Sequence, residues 1–171
     1  MALHNDLLRL AKFLANREPK HPRQVSLRRA VSTAYYALFH ALIFEASSVL
    51  APSRPSGLRE QVGRAFAHSD LKTVCGAFSH GNVTNLSGPT RTLIVSPIRP
   101  ELRLVALTFI DLYAARQSAD YDTLATPLSK TEVITKVEEV ERSFARLNVI
   151  RGEPNSNVFL VALFFQKHWN R

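Results

Sequence analysis

Arginine, tyrosine and histidine side chains that could hold a phosphate or move a proton are concentrated in two short segments. Residues 28–41 read RRAVSTAYYALFHA, and residues 116–122 read RQSADYD. The guanidinium fork of arginine matches the geometry of phosphate oxygens. Histidine is the side chain that best accepts a proton near neutral pH. Side chains of these types could therefore bind a phosphate group or take part in proton transfer. The candidate binding residues are Arg28, Arg29, Tyr36 and Gln117.

The first segment lies within the longest uninterrupted helical pattern of the chain, residues 26–51. Apolar residues recur there at three- and four-residue spacings, which predicts one side that faces a core. A second face is polar and aromatic, and it carries Arg29, Thr33, Tyr36 and His40. Ser26 is predicted to cap the start of this helix, and the proline-containing residues 52–55 are predicted to end it.

The positions of the candidate residues leave structural alternatives open. His40 points into the same cleft as Arg116 if the helices that carry them pack together, and a histidine satisfied within the core is the alternative. Arg116 and Asp120 lie four residues apart, so they can form an ion pair at a helix end instead of a phosphate site. Of the neighbours Tyr35 and Tyr36, we expect one to pack in the core and the other to reach a polar partner.

Helical periodicity continues through most of the chain. Further helices are predicted at residues 2–17, 58–79, 100–119, 131–150 and 156–169. The apolar stripe of the first helix is expected to comprise Leu3, Leu7, Leu10, Ala11 and Leu14. The last helix is apolar nearly all round, because Phe159, Phe164 and Phe165 cannot all face one core. We therefore expect it to bury part of its surface against a second copy of the chain.

Turn-forming residues divide these helices. The helix at 58–79 is expected to break near 68–70, where the sequence is His-Ser-Asp. Residues 80–98 are rich in turn formers and are expected to form a long loop without a helix. Ser129 and Glu132 have the spacing of a capping box. The expected fold class is all-α, an up-and-down helical bundle that forms a single domain over residues 1–171.

Composition limits the classes of function. The 171 residues are 46% apolar, and 22 Lys and Arg against 14 Asp and Glu give a formal net charge of +8. A basic surface attracts nucleic-acid phosphates, although it also serves solubility alone. The single Cys75 cannot form an internal disulfide, and no two histidines have metal-ligand spacing, so neither a metal nor another cofactor is predicted. The lone cysteine gives no sign of an oxidising compartment, so a cytoplasmic protein is expected. No apolar run is long enough to span a bilayer, so no membrane contact is expected.

The string AYYALFHA at residues 34–41 and the string RQSADY at 116–121, each on its own predicted helix, resemble those of the HEPN superfamily of small helical bundles. The resemblance covers roughly residues 5–150. The stretch 80–98 is then a loop insertion, and the helix at about 156–169 is an addition. The resemblance implies frequent homodimerisation and association with RNA or nucleotides in toxin–antitoxin or defence systems. A nucleotidyltransferase-type antitoxin is one partner that it implies.

Many HEPN proteins are metal-independent endoribonucleases that use an arginine, a polar neighbour and a histidine four to six residues later. Here Gln117 follows Arg116, but Tyr121 stands where that histidine would fall. An unperturbed tyrosine has a pKa of about 10 and is a poor base at neutral pH. The catalytic residues that the resemblance implies are therefore Arg116, Tyr121 and, as a substitute base, His40.

Three functions remain open at the level of sequence. The expected one is an RNA- or nucleotide-associated protein with a degenerate ribonuclease motif. The first alternative is an active endoribonuclease toxin in which His40 replaces the missing histidine. The second is a non-catalytic helical scaffold whose apolar last helix binds a partner. A toxin should arrest growth in a manner that depends on Arg116, whereas a scaffold should tolerate the loss of both Arg116 and His40.

Overall fold

The computed structural model describes residues 2–52, 56–64, 68–81, 84, 86, 88–122, 124 and 126–169. These residues form helices joined by turns and irregular segments, with no β-strand among them, which confirms the predicted all-α class. In chain order the helices are α1 Leu3–Asn16, α2 Gln24–Leu50, α3 Ser56–Arg64, α4 His68–Ser79, α5 Gly88–Leu93, α6 Pro100–Tyr121, α7 Lys130–Val149 and α8 Pro154–Trp169. No helix in the described ranges combines the length and the apolar character that crossing a membrane requires.

The helices group into two compact units, each built from two stretches of chain. The first unit comprises residues 1–40 and 108–145, so it contains α1, the first part of α2, the second part of α6 and most of α7. The second unit comprises residues 41–107 and 146–171. All the candidate site residues belong to the first unit. The single domain expected from the sequence stays a prediction.

In the first unit α2 and α6 run antiparallel. Their side-chain contacts pair rising numbers on α2 with falling numbers on α6: Arg28 with Asp122, Ser32 with Asp120, and Tyr36 with Arg116. The start of α2 is held by Gln24, whose side chain donates to the carbonyl of Leu128 and accepts from its N–H, both at 2.9 Å. This pairing places the two sequence segments of interest side by side.

The core-facing side of α2 is buried as its pattern predicts. Leu27, Val31, Ala34 and Leu38 are at most 1% exposed. Ala30 and Ala37 are also fully buried, and their short side chains let neighbouring helices approach closely. The four residues of the predicted polar face remain at least partly exposed. Packing on the other sides thus leaves this one face of α2 directed towards the surface.

Two details of the first unit differ from the sequence-based expectations. Ser26 does not cap α2, because the helix already begins at Gln24; its hydroxyl donates instead to Glu18 at 3.0 Å. In α1 the buried residues are Leu8, Ala11 and Ala15. Leu3 and Leu10, which the predicted stripe included, are 55% and 45% exposed. The start of α7 agrees with the prediction, since the Ser129 hydroxyl accepts the N–H of Glu132 at 3.1 Å.

In the second unit α4 and α5 pack against α8. Phe78 of α4 and Phe159 of α8 meet edge to face, with ring centroids 5.0 Å apart, and both are fully buried. The expected break near 68–70 is wrong in position, because α3 ends at Arg64 and residues 68–70 form the first turn of α4. Residues 65–67 lie outside the described ranges. The expectation of no helix in 80–98 is wrong at one place, where Gly88–Leu93 forms the short helix α5.

Candidate functional site

Arg116 is the centre of a polar cluster between α2 and α6. Its Nη2 donates hydrogen bonds to the hydroxyl of Tyr36 at 3.1 Å and to the hydroxyl of Tyr121 at 3.0 Å. Tyr36 is reached across the helix pair, whereas Tyr121 lies five residues further along α6. The guanidinium is thus fixed by one partner from each helix, and its orientation depends on the antiparallel packing of α2 with α6.

Asp120 supplies the negative charge of the cluster. Its Oδ2 lies 2.9 Å from Arg116 Nε and accepts a hydrogen bond from Ser32 Oγ at 3.0 Å. The Nε atom is buried, and its N–H does not point at any acceptor in the described part of the chain, so the contact with Asp120 is an ion pair without hydrogen-bond geometry. The side chains of Arg116 and Asp120 are only 12% and 18% exposed. The ion pair expected from their spacing is therefore confirmed, and it is largely shielded from solvent.

Three tyrosine rings surround the guanidinium. The Cζ atom of Arg116 lies 5.7, 5.6 and 5.1 Å from the ring centroids of Tyr35, Tyr36 and Tyr121, distances at which a cation is attracted to a π face. Tyr35 is fully buried and also contacts Phe109 at 5.4 Å. Tyr36 is partly buried, and Tyr121 is 66% exposed. The expectation is therefore confirmed that one tyrosine, Tyr35, packs in the core and the other, Tyr36, reaches a polar partner.

The cluster keeps Arg116 charged. Burial alone would lower the pKa of this guanidinium, but the interactions with Tyr36, Tyr121 and Asp120 raise it above the ordinary value. An arginine is already protonated at every physiological pH. The site therefore presents a fixed cation to any ligand.

The Nη1 end of Arg116 is the part of the guanidinium that a ligand can reach. Nη1 makes no hydrogen bond within the described ranges, and it is not among the buried polar atoms. Both of its N–H groups are therefore available to an acceptor. Both hydrogens of Nη2 are engaged by phenol oxygens, so a bidentate grip on phosphate requires a ligand to displace one tyrosine hydroxyl.

The remaining binding candidates have different surroundings. Arg28 Nη1 donates to the carbonyls of Asp122 at 2.8 Å and Ala119 at 3.4 Å, and so it caps the C-terminal end of α6. Arg29 is exposed on α2, and no hydrogen bond or ion pair of its side chain is found in the part of the chain that the structure describes. Gln117 is partly buried on α6, next to Arg116.

His40 lies one turn beyond Tyr36 on α2, which is about 6 Å along the helix axis. Its ring contacts Phe39 edge to face at 5.4 Å, and it is partly buried. Burial, and secondarily the nearby His4, lowers its pKa. No hydrogen bond joins His40 to the Arg116 cluster among the described residues. The structure therefore brings together Arg116, Tyr36 and Tyr121, but it does not link His40 or Arg29 to them.

The sequence did not identify Ser32 as part of the cluster, and it predicted Arg28 as a binding residue and not as a helix cap. Ser32 orients Asp120, and the capping role of Arg28 holds the end of α6 where Asp120 and Tyr121 lie. Both residues share a face of α2 with Tyr36, at four-residue steps, and this periodicity is the signal that could have found them. Among the described residues, no group of three or more His, Cys, Asp or Glu side chains is placed to hold a metal ion.

Comparison of the chain with protein-family models, with curated proteins and with solved structures gave no match.

Proposed function

We propose that this chain is an HEPN-like protein that binds the phosphate of single-stranded RNA or of a nucleotide at Arg116 and cleaves RNA slowly or not at all. The observation that carries the proposal is the state of the Arg116 guanidinium. It is oriented by Tyr36, Tyr121 and Asp120, yet its two Nη1 donors are open. A charged donor held in place loses little side-chain entropy when it binds an anion. The resemblance of the two motif strings to those of HEPN proteins supports the choice of ligand.

Tyr121 supports a nucleotide over an inorganic anion. Its ring is 66% exposed and stands against the same guanidinium that would hold the phosphate. Stacking of a base on an exposed aromatic ring typically contributes about 1–3 kcal/mol and does not depend on the base. The combination of one stacking surface and one phosphate donor matches a nucleotide unit.

The proposed lack of efficient cleavage follows from the groups beside Arg116. Cleavage of RNA by internal transesterification needs a group that takes the 2′-hydroxyl proton. The partners of Nη2 are phenols, and an ordinary phenol is a poor base at neutral pH. Among the described residues on this face of α2, His40 is the only candidate for that base. It lies a full helical turn beyond Tyr36.

A pair of substitutions at Tyr121 tests the proposal. Tyr121→Phe keeps the ring and frees one Nη2 donor, so binding of uridine monophosphate and of a uridine decamer should be retained or tightened. Tyr121→Ala removes the stacking surface and should weaken binding by roughly 5- to 150-fold, the equivalent of 1–3 kcal/mol. Because the side chain is largely exposed, neither change disturbs the core. Equal affinities for the two variants would reject a nucleotide-binding role for Tyr121.

Cleavage assays separate the alternatives. The wild type should bind RNA without rapid cleavage in the presence of a chelator, and Tyr121→His should create or increase cleavage that depends on Arg116. Rapid cleavage by the wild type that is lost in His40→Ala would favour the active toxin. The absence of any RNA binding at low salt would favour the scaffold.

Partners follow from the same proposal. An HEPN-like chain implies a homodimer and, in a toxin–antitoxin or defence system, a nucleotidyltransferase-type antitoxin. Support for association comes from α8, where Phe159 is fully buried but Phe164 and Phe165 are only partly covered. A second copy that covers these two rings would explain the apolar character of the helix.

A further inference from the structure

The segment that joins α1 to α2, residues 17–23, is strongly basic and forms the wall of an open hollow. Its sequence is REPKHPR, and we call it the basic connector. The hollow has a volume of about 510 Å³ and is lined by Arg17, Glu18, Pro19, Lys20, His21 and Arg23. Its size is sufficient for a phosphate and its sugar. A concave surface rich in cations is suited to an anionic group.

The cations of the basic connector are not neutralised by the rest of the first unit. The side chains of Lys20, His21 and Arg23 are exposed, and they make no hydrogen bond or ion pair within the described ranges. The one acid of the segment, Glu18, is engaged by the Ser26 hydroxyl at 3.0 Å and by Arg17 at 3.7 Å. The hollow therefore carries a net positive charge that is open to solvent.

The basic connector is held in shape before any ligand binds. Pro19 and Pro22 fix two of its backbone φ angles. Its end is anchored where Gln24 forms two hydrogen bonds with the backbone of Leu128. Lys130 at the start of α7 reaches the carbonyl of Pro19 at 3.5 Å and adds a further cation. A fixed loop loses less conformational entropy on binding than a flexible one does.

The hollow and the Arg116 site lie along one helix. Arg23 directly precedes α2, and Tyr36 is thirteen residues later, which corresponds to about 20 Å at 1.5 Å per residue. Arg29 lies near the middle of this distance and seven residues before Tyr36, so it shares the face of Tyr36. Arg29 is exposed and has no ion pair in the described part of the chain. One exposed cation, Arg29, thus lies between the hollow and Tyr36 along α2.

We propose that the basic connector is a second phosphate-binding surface, which holds the backbone of a single-stranded RNA whose other end is bound at Arg116. This inference rests on the proposed function, because it takes the ligand at Arg116 to be an RNA nucleotide. The residues that line the hollow include no Phe, Tyr or Trp, so its main contribution is charge that binds phosphates without reading bases. Arg29 contributes a contact between the two sites.

The proposal is tested with two probes and two matched double variants. Lys20→Ala with Arg23→Ala removes two charges from the hollow. The control, Arg64→Ala with Arg91→Ala, removes two exposed charges from the other unit. The probes are uridine monophosphate, which is too short to span both sites, and a uridine decamer, whose length lies within the about 4–16 nucleotides bound by one OB fold, a common single-strand-binding fold. Binding is measured at several salt concentrations.

The connector variant should bind the decamer about tenfold more weakly than the control variant does, while both bind uridine monophosphate at Arg116 like the wild type. The slope of log affinity against log salt should fall by about 1.4 in magnitude, since each lost phosphate contact on a single strand contributes about 0.7. Equal decamer affinities for the connector and control variants would overturn the proposal and leave the Arg116 site intact.

Two other outcomes separate this inference from the proposed function. If the connector variant weakens decamer binding while Tyr121→Ala does not, the hollow binds RNA and the proposed function of the Arg116 site fails. If the connector variant leaves RNA binding unchanged but abolishes binding to vesicles that contain anionic phosphatidylserine, the connector is a membrane-binding surface and the RNA proposal is overturned.

Discussion

At the scale of single residues, Arg116 combines a structural role with an open binding end. The pairing of Arg116 with Asp120 was predictable, because residues four apart face each other on a helix. The hydrogen bond from Ser32 to Asp120 could not be predicted, because it depends on which face of α2 packs against α6. The burial of the pair was also unpredictable, because helix periodicity does not report how closely two helices approach.

Tyr36 should contribute more to stability than Tyr121 does, although both hydroxyls accept from the same Nη2. Tyr36→Phe leaves a charged donor without its partner in a partly buried position, so we expect the free energy of unfolding to fall by about 1–2 kcal/mol. Tyr121→Phe should change it by less than about 0.5 kcal/mol, because water can replace an exposed partner. Urea unfolding measures both values, and a larger loss for Tyr121→Phe would contradict this view of the cluster.

His40 should make stability dependent on pH. Its pKa in the folded protein lies below the ordinary value of about 6.5, chiefly because of burial, so the unfolded chain binds the proton more readily. The stability from neutral His40 is therefore fully present above pH 6.5 and is lost as the pH falls towards the folded pKa. His40→Gln should lose less stability than the wild type does between pH 7.5 and pH 5. An identical loss in the two proteins would contradict this assignment.

At the scale of helices, periodicity predicted where elements lie better than it predicted which side is buried. α2, α6, α7 and α8 begin and end within a few residues of their predicted bounds. In α1 the stripe of leucines was misleading, because Leu3 and Leu10 are exposed while two alanines lie in the core. Alanine fits where helices approach closely, and a pattern that counts large apolar residues gives it too little weight.

The orientation of α1 is testable by substitutions at neighbouring positions. Ala11→Leu adds volume at a fully buried position, so it should destabilise the protein by about 1–3 kcal/mol. Leu10→Ala removes a half-exposed side chain and should change the free energy of unfolding by no more than about 0.5 kcal/mol. Thermal or urea unfolding distinguishes the observed buried face of α1 from the predicted leucine stripe. If the predicted stripe were buried, Leu10→Ala would be the more destabilising change.

At the scale of the whole molecule, association with a second copy is the main open prediction. Deletion of residues 156–171 would also remove Phe159 from the core of the second unit, so a milder change is preferable. Phe164→Ser with Phe165→Ser alters only partly exposed rings. We expect light scattering to give a dimer mass for the wild type at tens of micromolar and a lower mass for the variant. A monomeric wild type would contradict the prediction.

The binding of a nucleotide phosphate by Arg116 is tested most directly by nuclear magnetic resonance of the arginine side chains. The guanidinium ¹H–¹⁵N signals are followed while uridine monophosphate is added at low salt. We predict that the Arg116 signals shift in a saturable manner and that those of Arg64, an exposed arginine of the second unit, do not. If the Arg116 signals stay in place while the nucleotide binds elsewhere, or if no arginine signal moves at millimolar nucleotide, the proposed site is wrong.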